Sequence, residues 1–165
     1  MPAVVIAGTV AAAVIDLRTR RVPNALTMPL AGIGVLLAAT GISHLSVGTA
    51  ILGGVVGLGV MLPGHVIGAT GAGDVKLLAA VGTFLGPAGA IVAFIGTAIA
   101  GGVLAVVVAT RRGVVRATLD RTATLVSAGR AGVGAIEHPQ TNNRFAYAPA
   151  IAIGAAIAAL ELVRM

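Results

Sequence analysis

The chain has 165 residues, 58% hydrophobic and only 10% charged, with a formal net charge of +6 and no cysteine. A soluble domain carries about 25% charged residues, so this composition argues against a water-soluble globule. The missing thiols exclude disulfides, a thiolate zinc site and a cysteine nucleophile. A mean hydropathy of +1.05, with apolar runs along the whole length, predicts an all-α polytopic membrane protein forming a single domain over 1–165. The basic balance, pI about 11.6, reads as loops facing the cytoplasm and anionic lipid headgroups, not as a nucleic-acid surface.

The first apolar run is Pro2 to Ile15, with no basic residue before it and arginines at 18, 20 and 21 after it. That polarity is wrong for a cleaved signal peptide and predicts a helix whose C-terminal end is cytoplasmic. At "VPN" (Val22 to Asn24) the chain restarts, with Pro23 disfavouring helix before it and Asn24 available as a cap. A second span is expected over about 25–40. The polar turn "GISHLS" (Gly41 to Ser46) follows, then a third span over about 47–67.

From Leu77 to Thr110 the chain is uncharged, which is too long for one crossing. The Gly86-Pro87 pair is the natural break, predicting a short fourth helix over about 75–86 and a fifth over about 88–110. Residues 111–144 form a basic segment, in which Val115, Leu119 and Val126 lie at roughly helical spacing and suit an interfacial helix. "EHPQTNNR" (Glu137 to Arg144) reads as a polar loop containing Asn142 and Asn143, and the last span is expected over about 145–163.

Six spans put both termini outside. The cytoplasmic side then holds the basic residues at 18, 20, 21, 76, 111, 112, 116, 121, 130 and 144, and the outside holds only Arg164. This agrees with the positive-inside rule, whereas a single span over 75–110 would remove most of the bias. Glycines at helix-contact spacing (Gly53 and Gly57, Gly64 and Gly68, Gly82 and Gly86) predict tight helix packing.

Of the five acidic residues, Asp120 and Glu137 belong to the cytoplasmic segment, and Glu161 lies within reach of the outer headgroups. Asp16 and Asp74 differ. Each falls at the cytoplasmic end of an apolar span, so the topology puts them at one membrane depth. A carboxylate near hydrocarbon needs a partner or a role. Local pairing is one option, Asp16 with Arg18 or Arg20, and Asp74 with Lys76 or as a helix cap. The other is a carboxylate pair sharing one proton, in which one member activates water and the other protonates a leaving amide. That chemistry needs no metal or cofactor. The glycines of "GAGD" would let backbone approach closely. His44, His65 and His138 lack metal-ligand spacing; His65 is a candidate neighbour of Asp74.

Three segments carry a family resemblance. "GAGDVKL" (Gly71 to Leu77) resembles the GxGD motif of intramembrane aspartyl proteases. "DLRTRRVPN" (Asp16 to Asn24) resembles the first-aspartate segment of prepilin peptidases, including its Pro23-Asn24 helix start, and "FAYAPAIAIG" (Phe145 to Gly154), with Pro149, resembles their last helix. The set is similar to the prepilin/preflagellin peptidase family. The resemblance implies an aspartic endopeptidase with Asp16 and Asp74 as catalytic dyad, Gly71 and Gly73 as motif glycines, and Lys76 matching the GxGDxK form. It further implies a prepilin-like membrane substrate with a short basic leader, cut at the cytoplasmic face of a bacterial inner membrane.

Only eight residues, Leu17 to Asn24, join the first two spans. The chain therefore lacks the cysteine-paired methyltransferase region of longer relatives and resembles the compact enzymes of Flp/Tad-type pili. Presenilin-like relatives fit less well, since this chain has Ile15-Asp16 and Pro149-Ala150-Ile151 where they carry Tyr-Asp and Pro-Ala-Leu. A small transporter or pilus assembly factor with intramembrane carboxylates is the competing class. The absence of an inverted repeat and the placement of both aspartates at one face weigh against it.

Overall fold

The structure, a computed structural model, describes residues 2–19, 22–67, 70–111 and 147–164. Five helices follow in order among the described residues: α1 (Pro2–Thr19), α2 (Asn24–Ala39), α3 (Val47–Val66), α4 (Ala72–Arg111) and α5 (Ala148–Arg164). There is no strand among the described residues. The basic segment beyond Arg111, with Asp120, Glu137, His138, Asn142, Asn143 and Arg144, lies outside the described residues, as do Arg20 and Arg21.

The element boundaries follow local chemistry. α1 runs four residues past the expected end, because nothing between Ile15 and Thr19 breaks a helix; Asp16 is thereby a helical residue. Pro23 is extended at φ −73° and ψ 144° and immediately precedes α2. Ser46 caps α3, its hydroxyl accepting from the Thr49 N–H at 3.1 Å. The break expected at Gly86-Pro87 is present inside α4: Gly86 has φ 71° and ψ −177°, a region open essentially to glycine alone. Pro87 then opens the second segment, its fixed φ suited to a helix start.

Alanine is frequent in the interior, beside larger residues such as Met61, Leu77, Leu78, Phe84 and Ile151, and many large apolar residues face outward. Buried positions include Ala12, Ala50, Ala80, Ala90, Ala93, Ala148, Ala150 and Ala155, while Val10, Met28, Leu36, Leu52, Val55, Ile95, Ile99, Val103 and Leu160 face outward. An apolar outer surface of this kind suits lipid as the surrounding medium, where helices associate through close backbone contact. α3 and α4 are each long and apolar enough to cross a membrane. α4 packs against every other described helix. Its first segment is enclosed, with Leu77, Leu78, Ala80 and Val81 fully buried and every residue from 81 to 86 in the interior.

Glycine permits the α3–α4 contact. A Cβ on Gly53 would overlap the Gly82 carbonyl oxygen, one on Gly82 would overlap that of Gly53, and one on Gly57 would sit 2.6 Å from the Leu78 carbonyl. On the other side of α4, Gly96 and Gly154 bring α4 and α5 equally close. Three buried hydroxyls in this apolar setting bond back to their own helices: Thr9 to the Val5 carbonyl at 2.8 Å, Thr83 to that of Ala80 at 2.7 Å and Thr97 to that of Ala93 at 2.6 Å.

Candidate active site

Two carboxylates are buried in this bundle. Asp16 continues the buried stripe of α1, after Val5, Thr9, Ala12 and Ala13, and is 5% exposed. These positions repeat at three- and four-residue intervals and share one helix face. Asp74 stands in the first turn of α4 and is 8% exposed. The two come from helices far apart in sequence, yet their carboxyls lie within electrostatic reach of each other.

Each is anchored through one oxygen to a backbone donor at a helix start. Asp74 Oδ2 accepts from the Gly71 N–H at 3.2 Å. It reaches back from the third helical position to the residue before the helix, which is the acidic half of a capping box. Asp16 Oδ2 accepts from the Ala148 N–H, the first of α5, at 3.2 Å. A helix N-terminus presents unpaired N–H groups, and each aspartate supplies an acceptor to one of them.

The motif residues fall around this pair. Gly73 lies against Val22, and a Cβ there would stand 3.0 Å from both the Cβ and the carbonyl oxygen of Val22. Gly71 supplies the N–H just described, and a Cβ on it would stand 3.0 Å from Asp74 Oδ2. Lys76 does not pair with Asp74; its Nζ donates to Asn24 Oδ1 at 2.9 Å. Asn24 is accordingly not the cap of α2. It is the first residue of that helix, where Pro23 holds the flanking position without a side-chain cap, and its amide serves Lys76. Pro149 lies in the first turn of α5, a position that needs no N–H. His65 is exposed, with Nδ1 3.0 Å from the Thr70 carbonyl oxygen. Glu161 is exposed on α5. Among the described residues no three acidic or histidine side chains gather as a metal site.

Three features of the site carry no plain signal in the sequence. The Ala148 N–H is a backbone group that any residue but proline would supply. Val22 matters for its position alone. Tyr147, the one tyrosine of the chain, lies within electrostatic reach of Asp74 and packs its phenol against Gly101. Its singularity in so apolar a chain was the available clue.

Fold and site together define a helical membrane protein with a buried pair of carboxylates at the starts of two helices. The chain belongs to the type IV leader peptidase family, whose model matches residues 3–106. The matched stretch contains both aspartates and ends in the second segment of α4. No curated protein and no solved structure matches the chain.

Proposed function

We propose that the chain is a membrane-embedded aspartic endopeptidase that removes the leader peptide of type IV prepilin-like substrates, of the Flp/Tad type, at the cytoplasmic membrane face. The observation that carries this reading is the pairing of Asp16 and Asp74, both buried and within electrostatic reach, among described residues whose other buried side chains are uncharged. Two carboxyls so placed share a proton readily. The ionised member takes a proton from water as the water attacks the scissile carbonyl, and the protonated member donates to the departing amide nitrogen. Anchoring of each through Oδ2 leaves Oδ1 of each for the water and the peptide.

In this reading six helical segments cross the inner membrane, counting α4 as two. Both termini are outside, and the basic segment at about 111–144 faces anionic headgroups in the cytoplasm. The substrate arrives as a basic leader joined to a hydrophobic helix and is held extended near Gly71 and Gly73. The test is co-expression with a candidate prepilin, following loss of the leader by gel shift. A substrate of unchanged size beside well-folded enzyme counts against the proposal.

A further inference from the structure

Lys76 is two residues from Asp74, a spacing that points the two side chains to different sides of a helix. The ammonium is therefore not poised to neutralise the aspartate, and its partner is elsewhere. That partner is the Asn24 amide oxygen at 2.9 Å, 52 residues away in sequence. Three residues before Lys76, Gly73 lies against Val22, two residues before Asn24. The residues where α2 begins, Val22 to Asn24, are thus gripped twice by the first turn of α4, once by packing and once by a charge-assisted hydrogen bond.

The position of these residues matters for Asp16. α1 packs chiefly on α5, and Asp16 bonds to Ala148 of α5. Asp74 belongs to α4. α1 touches α4 directly over only a small contact, so Val22 and Asn24, held against the first turn of α4, add a second tie between the two. We propose that Lys76 is a positioning residue: its bond to Asn24, beside the Gly73–Val22 contact, latches the start of α2 onto α4 and sets how the two aspartates face each other. This rests on the aspartyl reading above. A lysine serving only as an interfacial anchor would need headgroups or water and no particular acceptor.

The test uses the full-length enzyme, purified in detergent, cleaving a prepilin-like substrate with its leader and hydrophobic helix intact. Lys76→Met and Asn24→Ala are each expected to lower kcat about tenfold or more, the scale of a hydrogen bond to a charged group, with KM little changed. The double variant is expected to be no worse than the poorer single, because one bond is lost in all three. Asn24→Asp and Lys76→Arg, which keep acceptor and donor, are expected to recover most of what Asn24→Ala and Lys76→Met lose. Should Lys76→Met fold poorly, the exposed Asn24 series decides alone. Wild-type kcat in Asn24→Ala, or losses that multiply in the double variant, would overturn the latch. Asp74→Asn run alongside separates the two ideas: if it is inactive while the Asn24 variants cleave normally, the dyad stands and the latch falls, and if it cleaves, the aspartyl reading itself falls.

Discussion

The Asp16 carboxylate of α1 accepts a hydrogen bond from the Ala148 backbone N–H of α5 across 132 residues of sequence, at 3.2 Å. The first donor of the last helix therefore holds the first aspartate, and a side chain near the end of α1 does for α5 what a cap does for its own helix. Asp74 has the equivalent bond from Gly71 within its own segment. The two acids have similar anchors of different origin, one local and one long-range.

This asymmetry shapes the first prediction. Asp16→Asn and Asp74→Asn should each abolish leader cleavage, since an amide cannot exchange the proton, and the double variant should be little worse than either single. Asn keeps an oxygen that can accept from Ala148, so Asp16→Asn should fold normally. Asp16→Ala should be inactive and also less stable by about 1 kcal/mol, the usual scale of a lost cap. Glu161→Gln, on an exposed face, should retain most activity, as should Asp120→Asn in the basic segment. Gel-shift cleavage and thermal unfolding in detergent measure both effects, and substantial cleavage by well-folded Asp74→Asn would refute the mechanism.

Glycine packing between α3 and α4 sets a stability pattern. Gly57→Ala and Gly82→Ala press a methyl group onto facing backbone and should destabilise by about 1–3 kcal/mol. Gly32→Ala and Gly59→Ala meet nothing within 4 Å and should be neutral or slightly stabilising, since Ala is the better helix former. Equal melting temperatures for Gly57→Ala and Gly59→Ala would contradict the close α3–α4 contact.

Orientation is tested with single cysteines in this cysteine-free chain. The proposed topology puts Ser46 outside and Ser127 in the cytoplasm. An impermeant thiol reagent applied to intact cells should label a cysteine at 46 and spare one at 127. The reverse pattern would invert the topology and place both aspartates on the outer face.

Substrate form supplies a further check. Because the buried dyad sits at the ends of apolar helices, the preferred target should be a leader joined to its hydrophobic helix. A soluble peptide spanning the same bond should be cut far more slowly at equal concentration. Comparable rates for the two would show that docking of the substrate helix contributes little.

Much of what depends on neighbours along the chain was legible in the sequence. Pro23 and the Gly86-Pro87 pair mark helix boundaries where expected, because a fixed φ or a positive φ acts within one turn, whereas α1 runs on past Ile15 to Thr19 with no breaker to stop it. Also legible were the apolar character of the spans and the two acids out of place among them. Asn24 shows the limit: its type suggested a cap, but Pro23 occupies that position, and the amide is used by a lysine of another helix. Only the tertiary structure decided that Lys76 meets Asn24 and that Ala148 holds Asp16. An apolar helix rich in Ala and Gly can turn many faces toward its neighbours at similar cost. The rotation is chosen by backbone approaches such as Gly53 to Gly82, which depend on all the helices at once.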